Sequence, residues 1–315
     1  MGKQHKIIID TDIGDDIDDA FALAFAAGSD ELDLLGVGVV YGDVHTRARL
    51  ARKLLRASGR PEIPIAVGYE RPLGYDYLKG TQPAECSQLA AVAGETEPLD
   101  QSRSAQQLIL DAARKFPGEV TVITIGAMTN IGAALCQEPA LAKQLAGIIS
   151  LTGGNPPGKD TFCWNGAYDA LSVQIIAHSG VPLTLVGGST AGAIGLARRE
   201  LDALAVLAAR DDAFACVLSE MIVLYDRNKR GNKNAHTLAD VHTAWTCDVA
   251  AVAALLIPEQ MDLRPGRFSF TLSGNYTFEL DPAGPHRMAH AKISAAYRNE
   301  AMRRIFQGKW PAGKI

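Results

Sequence analysis

Six aspartates crowd into ten residues of this chain. Asp10, Asp12, Asp15, Asp16, Asp18 and Asp19 follow directly on the apolar run Ile7-Ile8-Ile9, with Gly14 among them. Carboxylates a few ångströms apart raise one another's pKa and resist joint ionisation, and burial enlarges the cost. A hard cation with oxygen ligands removes that cost, so acidic clusters of this density often bind calcium or magnesium. The plainer alternative is a helix cap and a solvated acidic loop. It accounts for Asp18 or Asp19 at a helix start, but not for Asp10 and Asp12 flush against an apolar strand.

The elements that must position these groups are legible around them. Ile7 to Ile9 suit a parallel strand buried on both faces, which sets Asp10 and Asp12 on one side of its end. Gly14 turns the chain, a helix begins at Asp18 and Asp19, and Gly28 is its expected stop. In open α/β sheets ligands bind beyond the carboxyl ends of the strands, and the cluster lies at such an end. A second strand over 34–42 ends at Asp43. The helix over 45–57 carries Arg47, Arg49, Arg52, Lys53 and Arg56, which read as a solvated basic face. A third strand covers 63–67. Residues 69–101 break the rhythm, and a long irregular segment in a compact domain is usually functional or mobile.

The alternation then resumes. A helix over 102–116 leads to a strand over 120–125 that ends in Gly126-Ala127-Met128-Thr129-Asn130. A helix interrupted near Pro139 precedes a strand over 147–151, which ends in Thr152-Gly153-Gly154-Asn155. Helix 170–178, strand 182–186, a long helix over 200–225, a polar stretch over 226–234 and a helix from Asp248 follow. Strand-like segments over 267–272 and 277–280 precede a last helix over 297–306. This pattern predicts an α/β fold with a doubly wound, mostly parallel, Rossmann-like sheet, as a single large domain over 1–315.

Composition narrows the function classes. With 315 residues, 47% of them hydrophobic, the chain has ample material for a core. A net charge of −4 gives no electrostatic footprint for nucleic acid or a membrane surface. No apolar run reaches the ~20 residues of a membrane span, and Lys3, His5 and Lys6 before three apolar residues do not make a signal peptide. The five cysteines are scattered and odd in number, which argues against a disulfide framework or a zinc site and for a reducing cytoplasm.

Four stretches together resemble the inosine/uridine-type nucleoside hydrolases. Asp10-x-Asp12-x-Gly14 with Asp18-Asp19-Ala20 resembles their N-terminal signature, and Gly126 to Asn130 their central Gly-x-x-Thr-Asn turn. Gly153-Gly154, Trp164-Asn165 and Asp169 are similar to a third family segment, and Asp248 to Ala253 to its C-terminal helix start. The resemblance spans roughly residues 6–310. It implies hydrolysis of the N-glycosidic bond of a small-molecule nucleoside, in a homodimer or homotetramer. It implies one Ca2+ held by Asp12, Asp19, the backbone carbonyl of Ile125 and Asp248. Asp12 would be the general base on a bound water, Asp10 its support, and Asp18 and Asn165 the holders of the ribose diol.

Three positions depart from the familiar pattern. Cys247 stands where many members carry a leaving-group His. A thiol can donate a proton, and a small buried residue lining the pocket is the equal alternative. Trp245, His242, His236 and Tyr225 are further candidates for contact with the base. Cys163 replaces a Glu that binds the ribose 5′-hydroxyl, with Asn155 and Lys159 nearby to compensate, so 5′-substituted substrates are expected to be tolerated. Asp43 occupies the place of an Asn near the base, and it would equally serve as a helix cap. Two other readings stay open. Asp10-Thr11-Asp12 after a strand also resembles haloacid-dehalogenase-type phosphatases, with Asp10 as nucleophile. A non-catalytic nucleoside- or ribose-binding protein would use the same groups without turnover.

Overall fold

The computed structural model describes residues 4–74, 86–100, 102–153, 161–187, 195–292 and 294–309. Its centre is a sheet of ten strands: β1 (His5–Thr11), β2 (Leu32–Val39), β3 (Ile65–Val67), β4 (Val120–Thr124), β5 (Leu145–Gly153), β6 (Thr161–Phe162), β7 (Leu183–Gly187), β10 (Met261–Phe270), β11 (Asn275–Leu280) and β12 (His286–Ala291). Their order is β3-β2-β1-β4-β5-β7-β12-β10-β11-β6, and the short strands β8 (Gly195–Leu196) and β9 (Ala244–Trp245) pair separately. Neighbours from β3 through β12 run parallel, and β10, β11 and β6 add an antiparallel edge. The fold is the expected α/β one, with a large, mostly parallel sheet.

Strand periodicity builds two cores. Ile7 and Ile9 face one side of the sheet and Ile8 the other. Helices α1 (Asp18–Ala27), α2 (Val44–Ala57), α9 (Ala213–Asn228), α10 (Val249–Leu256) and α11 (Ala295–Ile305) supply Phe21, Leu50, Met221, Val249 and Tyr297 to the first. Helices α3 (Ala105–Lys115), α4 (Thr129–Gln137) and α7 (Ala170–His178) supply Leu108, Ile131 and Val173 to the second. The remaining helices are α5 (Leu141–Gln144), α6 (Trp164–Tyr168) and α8 (Arg198–Ala208). Among the described residues no helix is long and apolar enough to cross a membrane.

Three local expectations need correction. The helix read over 200–225 is two helices, because Asp211 takes φ 58° and Asp212 caps α9 by accepting from Ala215 N–H. Strand β12 lay in a stretch with no strand-like signal, yet it fills the gap between β7 and β10. Arg47 is not on a solvated face: it is 2% exposed. On α2 it lies one turn from Val44, Leu50 and Ala51, on the apolar side.

His286 ties β12 into this architecture. Its Nδ1 accepts from Phe268 N–H at 3.2 Å, so the ring proton is assigned to Nε2, which donates to the Ala177 carbonyl at 3.2 Å. Burial pushes its pKa below the usual 6.5, against the Ala177 contact. The unfolded chain therefore takes up this proton first, and the stability it contributes is lost as pH falls below that value. Thermal unfolding between pH 7 and 5 should show a smaller acid-induced loss for His286→Gln than for the unsubstituted protein. Equal losses would contradict a depressed folded-state pKa for His286.

Candidate active site

The strand order reverses between β1 and β4, and that switch point is where an open α/β sheet forms its ligand crevice. Asp10 and Asp12 leave the sheet there from β1, and Ile125 and Gly126 from β4. Backbone closeness sets the positions. A Cβ on Gly38 would lie 2.7 Å from Asp10 Oδ1, and one on Gly126 would lie 2.7 Å from Asp12 Oδ1. Both carboxylates thus occupy space that any other residue at those glycines would fill.

Asp10 is fully buried. Its Oδ1 accepts from Asn130 Nδ2 at 2.7 Å, while its Oδ2 has no partner among the described residues. Asn130 also accepts from Tyr69 N–H, and Thr129 Oγ1 donates to Asp169 Oδ2 at 2.8 Å. Asp169 in turn caps α7 through Ser172. The Thr129-Asn130 turn therefore holds two buried acids, one beside the crevice and one beneath α7.

Asp18 and Asp19 open α1, and Asp248 precedes α10. One carboxylate oxygen from each of the three lies within 4.8 Å of the others. Thr11 Oγ1 donates to Asp19 Oδ1 and accepts from Ile13 N–H at 3.1 Å, fixing the turn after β1. Burial and repulsion from neighbouring acids raise Asp10, Asp12, Asp18, Asp19 and Asp248. Burial, opposed by Asn130, brings Asp10 to about 7. Burial, opposed by Arg47 and reinforced by Asp15 and Asp16, brings Asp12 to about 6. Burial and then Asp16 bring Asp18 to about 7. Asp19 and Asp248 are pushed well up by burial, then by Asp12 and Asp18 respectively. Buried carboxylates in this number, with an all-oxygen donor set, fit a hard cation.

The sequence reading placed Asp12 with Asp19 and Asp248 as ligands and Asp18 on the ribose. The structure draws Asp18 into the tightest group, with Asp12 acting on Asp19 as its strongest electrostatic neighbour. The Ile125 carbonyl accepts from Asn165 Nδ2 at 2.8 Å, and that amide also reaches the Leu151 carbonyl at 3.1 Å. Asn165 is thereby aimed at the ends of β4 and β5. Asp43 caps α2, accepting from Thr46 N–H at 3.0 Å and from Thr46 Oγ1 at 2.6 Å. Trp245 is 54% exposed. Asn155 and Lys159 lie outside the described residues.

The cysteines are all free thiols. Cys163 is buried at the start of α6, and burial pushes its thiol up to about 11. Cys247 is half-buried beside Asp18, and burial, then Asp18 and Asp248, hold its thiol well above the usual range. Such a group stays protonated at neutral pH and is a weak acid, far from the pKa that suits proton transfer. We therefore expect Cys247→Ala to lower kcat by less than ~10-fold, where loss of an effective general acid costs about 10²-fold or more. Steady-state kinetics on one nucleoside decides between these outcomes.

Sequence reasoning missed the groups beneath the acidic loop. The Arg47 guanidinium donates from Nε to the Tyr41 carbonyl at 2.6 Å, and from Nη1 to the carbonyls of Asp12 and of Ile13, the latter at 3.1 Å. It is the fixed positive charge under Asp12 and Asp19. Tyr41 holds φ 66°, and its ring stacks at 4.2 Å on Tyr168, whose phenol is pushed up by burial and then by Asp12. Helical periodicity on α2 was the signal for Arg47. No local signal marks Tyr41 or Tyr168.

A family model described as inosine-uridine preferring nucleoside hydrolase matches residues 7–298. Probable uridine nucleosidase 2 of Arabidopsis thaliana is 25% identical over an alignment of 289 residues that covers 87% of this chain and 84% of that one. A solved plant nucleoside hydrolase, PpNRh1, aligns with a TM-score of 0.73 at 25% identity, covering 96% of this chain and 98% of its own. A purine-preferring ribonucleoside hydrolase from Gardnerella vaginalis shares the fold at a TM-score of 0.74 and 23% identity, over 96% and 99% of the two chains.

Proposed function

This chain belongs to the inosine-uridine preferring nucleoside hydrolase family, and from that premise we propose that it is a calcium-dependent N-ribohydrolase that cleaves ribonucleosides to free base and ribose. The observation that carries the metal reading is the convergence of Asp18, Asp19 and Asp248 at the sheet's switch point. Asp12, Asp19, Asp248 and the Ile125 carbonyl would hold the ion, with Asp18 beside them. When bound, a divalent cation lowers the pKa of a coordinated water.

The chain's own groups supply the rest. Asp12, packed against Gly126 and electrostatically supported by Arg47, takes the proton from the attacking water. Asp10 stands behind it as a buried acid held by Asn130. Asp18 and Asn165 receive the ribose diol. Departure of the base leaves an oxocarbenium-like ribosyl, and the surrounding carboxylates favour that developing positive charge. The family match removes the phosphatase alternative. The same reading makes the protein a cytoplasmic homodimer or homotetramer, with Asp43 and Trp245 near the base.

Related proteins differ in base, one being called a uridine nucleosidase and another purine-preferring. The buried Cys163 thiol in place of the family's Glu supports a loosely held 5′ end. Purified protein with calcium should therefore release reducing ribose from at least one of inosine, adenosine, guanosine, uridine and cytidine, and ribose 5-phosphate from the matching 5′-phosphate. Rejection of every 5′-substituted substrate would refute the loose 5′ end. Calcium and nucleoside binding without any release would leave a binding protein.

A further inference from the structure

The loop between Gly14 and α1 is gripped from two directions. Its backbone is held by residues 86–88. Ser87 Oγ donates to the Asp15 carbonyl at 2.7 Å, Gln88 N–H to the Gly14 carbonyl at 3.2 Å, and Gln88 Nε2 to the Asp16 carbonyl at 2.8 Å. Its side chains are held by the end of α9. Lys229 Nζ lies 2.8 Å from Asp15 Oδ1, and the Tyr225 side chain lies beside the Asp16 carboxylate. The two holders are joined to each other, because Asn228 Nδ2 donates to the Ser87 carbonyl at 2.7 Å.

The Asp15 side chain is only 9% exposed, whereas that of Lys229 is 36% exposed. A carboxylate so buried, beside five other aspartates, depends on its cation, and removing one partner of such a pair costs far more than removing an exposed pair. Asp15 and Lys229 are 214 residues apart in the chain, so the contact exists only because α9 is docked on the loop. Asp16 is exposed, lies beside Tyr225, and acts electrostatically on Asp18 and Cys247.

We propose that the Asp15–Lys229 ion pair is a latch that docks the end of α9 on the acidic loop, so that Asp15 and Lys229 act as positioning residues for both the metal-holding turn and the pocket wall formed by Tyr225 and Asp16. The inference rests on the proposed nucleoside hydrolase site. Neither residue touches the reacting atoms. Their role is to keep the loop that carries Asp12, Asp18 and Asp19 against a substrate-facing wall built from a distant part of the chain.

The test uses the intact protein and its Asp15→Asn, Lys229→Met, Lys229→Arg and Asp15→Asn/Lys229→Met variants. Calcium affinity is measured by titration calorimetry on chelator-stripped protein, and kcat and KM on the best nucleoside. A latch predicts that Asp15→Asn and Lys229→Met both weaken calcium by about 10-fold, the usual scale for groups that orient metal ligands. It predicts a KM increase of about 10-fold with kcat within about 3-fold, the signature of lost substrate binding rather than lost chemistry. The double variant should be no worse than either single one, and Lys229→Arg should stay near the unsubstituted protein.

Charge alone predicts the opposite pattern for calcium, since Lys229→Met removes a repelling cation and would tighten binding. Tighter calcium in Lys229→Met, additive losses in the double variant, or no effect from either single change would each overturn the latch. If no nucleoside is hydrolysed at all, the function reading fails while the calcium titrations still decide on the latch.

Discussion

Asp12→Asn should lower kcat for nucleoside hydrolysis by at least about 10³-fold while leaving the fold intact. The expected size follows from the two tasks placed on one carboxylate. A positioned general base contributes about 10²- to 10⁴-fold, and the same group is assigned to the metal. Asparagine has almost the same shape, so the close packing against Gly126 is preserved. The substitution also removes a buried charge that burial, Asp15 and Asp16 make costly. With calcium chelated, the variant should therefore unfold at a temperature equal to or above that of the unsubstituted protein. Loss of activity with undiminished stability separates a chemical role from a structural one. Activity within about 10-fold of the original would remove Asp12 from the role of base.

The second large effect is on stability with calcium removed. Asp10, Asp12 and Asp18 are raised from 3.8 to about 7, 6 and 7, and burial and neighbouring acids also hold Asp19 and Asp248 well above the usual carboxylate range. Raised folded-state values mean that the folded protein holds more protons than the unfolded chain between these limits. Stability is then fully present at low pH and falls as pH rises through the folded values. The chelated protein should lose on the order of 10 °C in melting temperature between pH 5 and 8, a shift that corresponds to a few kcal/mol in a chain of this size. Saturating calcium should abolish most of that loss, because a cation that binds only the folded state stabilises it by mass action. Asp248→Asn should flatten the pH dependence and weaken calcium together. A chelated protein equally stable at pH 5 and 8 would contradict the burial of charge in this cluster.

What was legible in the sequence was what is local. An apolar run followed by alternating acids specifies a buried strand with carboxylates at its end, and β1 is that strand. The Gly126 to Asn130 turn and the Asp248 helix start stand out because each sits where a strand ends or a helix begins. Arg47 was misread because a run of basic residues on one helix looks solvated, although its spacing from Val44 and Leu50 puts it on the apolar face. The break at Asp211-Asp212 carried a cap signal that the apolar residues on either side obscured. Strand β12 escaped because parallel pairing with β7 is a long-range property and its sequence is poor in β-branched residues. The Asp15–Lys229 pair had no signal for the same reason, since no local pattern reports which helix end comes to rest on a loop. Asp43 shows the reverse case, where the plain role of a cap is the one its hydrogen bonds display.

The most direct test of the account is ribose release from inosine and uridine by protein stripped with a chelator, measured before and after one equivalent of calcium is returned. The stripped protein should give negligible release and recover at least one activity on addition of calcium. Equal rates with and without calcium, or no release when calcium is bound, would contradict calcium-dependent hydrolysis.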